Sequence, residues 1–110
     1  MINTNEQMKV IREEIFGSVL AAMSFSDTGD LIARSNNTTY RLATGVWTSD
    51  VAGAHQTAKA IKAETIWINC YYVFDAALPF GSFKQSGWGR EMGHAALDNH
   101  LETKAVCMSV

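Results

Sequence analysis

Short apolar runs separated by amphipathic stretches dominate the pattern of this chain. Residues 19–25 form a nearly continuous apolar run, which we interpret as a buried strand. Residues 42–48 and 65–69 are rich in β-branched and aromatic side chains, as is typical of strands. With helices between them, the three strands predict an α/β fold whose parallel strands are joined by right-handed crossovers. The first run is apolar on both faces, so it is expected to be covered on both sides.

Polar residues mark where the helices begin. Ser26 or Asp27 can cap a helix that frays at residues 36–37. Ser49 and Asp50 form a second start signal, followed by a stretch with one apolar face. The remaining predicted elements are a loop over residues 70–88, a helix over residues 90–100 and a strand over residues 104–110.

Composition narrows the class of protein. A chain of 110 residues forms at most one domain, and 47% apolar with 18% charged residues is a globular composition. The net charge of −2 argues against a nucleic-acid binder and against a polybasic membrane patch. No run approaches the roughly 20 apolar residues of a membrane span. Residues 1–7 lack the pattern of a secretory signal.

Taken one by one, the reactive residue types indicate little chemistry. Cys70 and Cys107 are isolated, and we expect them to be reduced thiols of a cytoplasmic protein. His55, His94 and His100 lack the spacing of metal ligands, so no metal site is predicted. The glycines do not form the Gly-rich turn that holds a dinucleotide pyrophosphate.

Two motifs are more specific. Residues 13–17 read Glu-Glu-Ile-Phe-Gly, and residues 79–91 read Pro-Phe-Gly-Ser-Phe-Lys-Gln-Ser-Gly-Trp-Gly-Arg-Glu. In this order and at this spacing, they resemble the C-terminal part of the NAD(P)-dependent aldehyde dehydrogenases, such as the betaine and phenylacetaldehyde dehydrogenases. The resemblance implies that residues 1–103 are a partial catalytic domain of parallel βαβ type. It also implies that residues 104–110 are an oligomerisation strand, which adds to a neighbouring subunit.

The resemblance also implies roles for four side chains. Glu14 would accept hydrogen bonds from the hydroxyls of the nicotinamide ribose, since a carboxylate offers two acceptor oxygens to a vicinal diol. Phe16 would pack beside the nicotinamide ring, and Phe74 and Phe80 would contact the aldehyde. Without the motifs, Glu13 and Glu14 fit a solvated charge pair, and the two later aromatics fit ordinary packing.

Other parts of the family's machinery have no counterpart in this sequence. In the family, the nucleophilic cysteine and the dinucleotide-binding domain come before the matched region. We therefore expect the isolated chain to be inactive and to bind neither NAD nor NADP tightly, which leaves open whether it acts as an enzyme. The alternative is a self-assembling or subunit-interaction module without catalysis. It would form a homo-oligomer through its last strand, or bind an intact or complementary aldehyde dehydrogenase subunit.

Four positions depart from the family pattern. Ser18 stands where proline is usual, and Arg41, Glu64 and Ser82 stand where glycine is usual. A residue other than glycine costs about 1 kcal/mol or more where φ is positive. We therefore expect these departures to disturb the turns and the aldehyde-facing loop.

Overall fold

The computed structural model describes residues 4–110, so the first three residues of the predicted partial domain lie outside the described part. The elements, all short, are α1 (Lys9–Arg12), α2 (Thr28–Asn36), β1 (Tyr40–Arg41), β2 (Ala43–Val46), α3 (Val51–Ala60), β3 (Thr65–Ile68), β4 (Phe80–Gly81), β5 (Phe83–Lys84), β6 (Arg90–Glu91) and the 3₁₀ helix η1 (His94–Asn99). The strands form three pairs: β2–β3 is parallel, and β1–β5 and β4–β6 are antiparallel.

The unit β2–α3–β3 is the most regular part of the structure. Ala43 lies opposite Thr65, and Val46 lies opposite Ile68. A parallel pair needs a long crossover connection, and α3 supplies it. The buried residues of α3 and its C-terminal end follow helical spacing: Ala54, Thr57 and Ile61.

The start of α2 is as predicted. Asp27 is its N-cap, and the Asp27 carboxylate accepts a hydrogen bond from Asp30 N at 2.9 Å. One turn later, Arg34 Nε donates to Asp30 Oδ1 at 2.6 Å. This bond, together with one from Ser26 N, lowers the pKa of Asp30 below its ordinary value. Polar side chains near the cap therefore satisfy the helix start and one another.

The strand predicted over residues 19–25 is wrong for the described chain. These residues belong to no β-ladder there, and Val19 and Phe25 are exposed. An apolar run can form a strand only where another strand edge is available to pair with it. In residues 4–110, the strands pair among themselves in twos and leave this run outside.

The C-terminal part also differs from the prediction. Arg90–Glu91 is a strand paired with β4, not the first turn of a helix. Gly93 follows with a φ of 57°, a left-handed conformation that interrupts helical geometry, and only the six residues of η1 then coil as a 3₁₀ helix. Two short strands, β4 and β5, also lie inside the predicted loop. Residues 104–110 form neither strand nor helix in the single chain, so strand addition to a neighbouring subunit stays a prediction.

The core is small for a chain of this length. Its buried apolar side chains in the described residues are Ala54, Ile61 and Trp67. The radius of gyration is 18.5 Å, whereas a compact domain of this size has about 13 Å. The Cα atoms extend 73 Å along the longest axis. The chain therefore leaves much of its apolar surface uncovered.

Asn69 ties the end of β3 to Thr48, the second residue after β2. Its φ is 55°, a conformation that asparagine tolerates better than most residues. Its Oδ1 accepts a hydrogen bond from Thr48 N, and its Nδ2 donates to Thr48 O, both at 2.9 Å. The side chain thus continues the strand pairing by one step beyond the backbone ladder.

We expect Asn69→Ala to lower the free energy of unfolding by about 2 kcal/mol, because it removes two hydrogen bonds and places a Cβ in a left-handed conformation. Urea titration followed by far-ultraviolet circular dichroism measures the loss. Asn69→Gly is the matched control, since it removes the same bonds without backbone strain and should cost less. Equal losses in the two variants would contradict the strain argument.

Candidate functional site

The segment after α1 brings Glu14 and Phe16 to one cleft. Helix α1 ends at Arg12, and the irregular segment that follows leaves both side chains exposed, with Phe16 93% exposed. The cleft has a volume of about 500 Å³, and its other walls include Leu42 and Ile61. The two residues that the motif assigned to the cofactor therefore share one open surface.

Phe74 and Phe80 meet in an aromatic cluster around Trp67. Phe80 contacts Phe74 edge to face at a centroid distance of 5.2 Å, and Phe74 contacts Trp67 in the same way at 5.5 Å. Trp67 is 7% exposed, and its Nε1 donates to Val73 O at 2.8 Å. Tyr71 also packs on Trp67, with a distance of 4.9 Å between the ring centroids. Edge-to-face geometry is the favoured arrangement for such rings, so the cluster fixes their relative orientation.

The cluster borders a second cleft of about 360 Å³. Phe74, Phe80 and Trp67 line it, together with Cys70 and the carboxylate residue Glu64. No residue lines both clefts, but Ala63 lines the first and the next residue lines the second. The two pairs of motif residues thus face separate clefts.

The reasoning from the sequence did not find Trp67 or Glu64 as site residues. Trp67 was predicted only as part of a strand, and Glu64 only as a departure from the family pattern. The Glu64 carboxylate in fact accepts a hydrogen bond from Gly81 N at 3.1 Å. Gly81 lies 17 residues further along the chain, so no local sequence signal could have revealed this contact.

The expected strain at the departing positions is wrong. The non-glycine residues with positive φ in the described chain are Asn69, Tyr72, Lys84 and Met92. Ser18, Arg41, Glu64 and Ser82 are therefore free of the expected conformational cost. Two of their side chains make hydrogen bonds: the Glu64 carboxylate accepts from Gly81 N, and Ser82 Oγ donates to Ser86 O at 3.0 Å.

The remaining candidate chemistry is limited. Cys70 is partly buried beside the second cleft and Cys107 is exposed, and both are free thiols. Within residues 4–110, no three His, Cys, Asp or Glu side chains are grouped closely enough to hold a metal ion. Over the same residues, no helix has the length and apolar character required to cross a bilayer.

Nearly the whole sequence matches a known family. The model of the aldehyde dehydrogenase family matches residues 1–106. The chain belongs to the aldehyde dehydrogenase family. It is similar to the putative aldehyde dehydrogenase DhaS of Bacillus subtilis, with 49% identity over 108 residues, which are 98% of this chain and 22% of DhaS. It is also similar to the mitochondrial aldehyde dehydrogenase family 2 member B4 of Arabidopsis thaliana, with 47% identity over 94% of this chain and 19% of the relative.

Solved aldehyde dehydrogenases share the fold of this segment. The NAD⁺ complex of the Bacillus cereus enzyme matches with a TM-score of 0.91 and 48% identity, over 96% of this chain and 21% of that chain. KauB of Pseudomonas aeruginosa matches with a TM-score of 0.91 and 45% identity over the same shares. The chain thus spans about a fifth of the length of the aldehyde dehydrogenases it matches. The resemblance carried by the two motifs is confirmed.

We expect Trp67→Phe to lower the free energy of unfolding by about 1–3 kcal/mol, because it removes the hydrogen bond to Val73 O and part of the buried ring. The measurement is a urea titration followed by far-ultraviolet circular dichroism. Trp88→Phe is the matched control: Trp88 is 99% exposed, so its loss should stay within about 0.5 kcal/mol. A similar loss in both variants would show that the cluster does not stabilise the fold.

Proposed function

We propose that this chain supplies the nicotinamide-facing and aldehyde-facing surfaces of an NAD(P)-dependent aldehyde dehydrogenase, which oxidises an aldehyde to a carboxylic acid. One observation carries the proposal: Glu14 and Phe16 share one cleft, Phe74 and Phe80 share a second, and the two linings include the consecutive residues 63 and 64, directly before β3. Family membership supports the assignment of a cofactor role to the first pair and a substrate role to the second.

The residues of the first cleft fit the nicotinamide end of a dinucleotide. Both side chains lie at the surface, so the Glu14 carboxylate is accessible to a ribose diol and the Phe16 ring can pack beside a flat heterocycle. The dinucleotide supplies the acceptor for the hydride that leaves the aldehyde. Glu14 and Phe16 would bind and orient the nicotinamide end of the dinucleotide, which accepts the hydride.

The residues of the second cleft fit an aldehyde with an apolar body. The rings of Phe74 and Phe80 stand nearly perpendicular, at 85°, and Trp67 packs edge to face against Phe74. Such a surface binds apolar groups through contact area and excludes water from the carbonyl. We assign the nucleophile and the oxyanion donors of the aldehyde dehydrogenase to the part of the enzyme that precedes the matched segment.

Energetics support inactivity of the isolated chain. Hydrogen bonds that the Glu14 carboxylate accepts from a diol contribute roughly 3–6 kcal/mol. Association costs about 4–15 kcal/mol, so these bonds alone do not retain a dinucleotide. We propose that the chain binds NAD or NADP usefully only when a dinucleotide-binding domain holds the phosphates.

The proposal is tested by combining this chain with the part of Bacillus subtilis DhaS that precedes the matched segment. We expect aldehyde-dependent reduction of NAD⁺ in the mixture and none with either part alone. Turnover by the isolated chain would contradict the proposal, as would an inactive mixture whose two parts are shown to be bound to each other.

In the active mixture, we expect Glu14→Gln to raise the KM for NAD⁺ about tenfold, because the amide offers a single, uncharged acceptor to the ribose diol. Steady-state kinetics at saturating aldehyde measure the change. Glu13→Gln is the matched control and should leave this KM within about twofold of the parent value. If the two variants behave alike, Glu14 does not contact the ribose.

A second function, that of a self-assembling or subunit-interaction module, is favoured by the exposed C-terminal segment. Val106 is 82% exposed, and Met108 and Val110 are also exposed, at alternate positions. A segment with this alternation is suited to pair with an open strand edge. We propose a second copy of this chain as one partner and an intact or complementary aldehyde dehydrogenase subunit as another. The two functions are compatible.

We expect the isolated chain to be at least a dimer by light scattering coupled to size exclusion, and Val106→Pro to weaken assembly about tenfold or more. Proline removes a backbone donor and is excluded from paired strands. Val106→Ala is the matched control, because it keeps the backbone donor and should weaken assembly less. A monomeric parent chain, or equal oligomer size in the proline variant, would contradict strand addition.

The thiols support a proposed location. Cys70 and Cys107 are both free in the structure. Free thiols are typical of reducing compartments. We therefore propose that the protein is cytoplasmic.

A further inference from the structure

Glu64 joins the start of β3 to the strand that carries Phe80. Its side chain is only 8% exposed. Its Oε2 accepts a hydrogen bond from Gly81 N at 3.1 Å and from the hydroxyl of Thr65 at 2.5 Å. Withdrawing a carboxylate from water to this extent is costly unless its oxygens are paired, so these contacts fix the Glu64 side chain in place.

Arg90, in the strand β6 that pairs with β4, is the third partner of the Glu64 carboxylate. Its Nε lies 3.6 Å from Oε1 of Glu64. Its Nη1 donates to the carbonyl groups of Ser82, at 3.1 Å, and Gly89, at 2.6 Å. Because Arg90 belongs to β6 and β6 pairs with β4, one carboxylate holds both strands of this ladder.

Phe80 is therefore supported from two directions. The backbone of its neighbour Gly81 is held by Glu64, and its ring is held by Phe74, which in turn packs on Trp67. Glu64 directly precedes β3, and Trp67 lies within β3. Both supports thus come from β3 and the residue directly before it. Support of this kind keeps a side chain at a binding surface in a single orientation.

We propose that Glu64 is a positioning residue, which fixes the Phe80 ring at the aldehyde-facing surface through the amide of Gly81. The inference rests on the proposed function, in which Phe80 contacts the aldehyde. A ring held in one orientation presents one surface to the substrate, so Glu64 favours aldehydes that fit that surface. The resemblance places a glycine at position 64, so this contact distinguishes the chain from the family pattern.

Nuclear magnetic resonance on the 110-residue chain tests the placement without any activity. We expect Glu64→Ala to speed hydrogen exchange of the Gly81 amide about tenfold, since its acceptor is lost, and to weaken the nuclear Overhauser effect between Phe74 and Phe80. Glu64→Gln keeps an acceptor for Gly81 and should restore both signals. The alanine and glutamine variants behaving alike, or both resembling the parent chain, would overturn the proposal.

Asn99→Ala is the control for a general loosening of the ladder. Asn99 Nδ2 donates to Arg90 O at 2.6 Å, so it supports the same strand without contacting Glu64. We expect this variant to lower stability and to leave the contact between Phe74 and Phe80 unchanged. Loss of that contact in the control would mean that any weakening of the ladder moves Phe80, and Glu64 would then have no specific role.

Kinetics in the mixture with the DhaS part test the consequence. We expect Glu64→Ala to raise the KM for an aromatic aldehyde such as benzaldehyde about tenfold, with the KM for NAD⁺ within about twofold of the parent value. An unchanged KM for the aldehyde would overturn the proposal. If the mixture shows no turnover although its two parts are bound to each other, the proposed function fails, and the magnetic resonance result still decides whether Glu64 positions Phe80.

Discussion

The burial of Trp67 is the interaction on which the rest of this structure depends. The residue lies in β3, opposite Gly45 of β2. A buried indole needs an acceptor for its N–H group, and Val73 O provides it. The irregular segment after β3 must therefore fold back onto the strand, which brings Tyr71 and Phe74 against the indole ring. The second cleft exists because this segment folds back onto β3.

The parts of the fold that were predictable from the sequence have local signals. Asp27 caps α2 with its own side chain, and the buried positions of α3 repeat every three or four residues. Strands β2 and β3 are marked by their β-branched and aromatic composition. Residues 19–25 and 104–110 also have the composition of strands, but a ladder depends on a second strand edge. That requirement concerns the tertiary structure, so it cannot be predicted from the composition of either segment.

The candidate site was likewise predictable only in part from the sequence. The motifs named Glu14, Phe16, Phe74 and Phe80, because the residue types and their order resemble those of a known family. How these residues are grouped depends on contacts between distant parts of the chain. Glu64 illustrates the limit: as a replacement for a glycine it indicated strain, whereas its backbone is unstrained and its carboxylate holds β4 and β6. Whether such a substitution stabilises or destabilises the fold depends on partners that only the folded chain brings near.

Gly81 restricts how this scaffold can change. A Cβ at this position would lie 2.6 Å from Gly89 O and 2.7 Å from Cδ of Arg90. The backbone carbonyl cannot rotate away, so a side chain at position 81 would force the two strands apart. Phe80, one residue earlier, and Phe74 both line the cleft. Laboratory evolution of the second cleft would thus explore positions 74 and 80, while position 81 stays invariant.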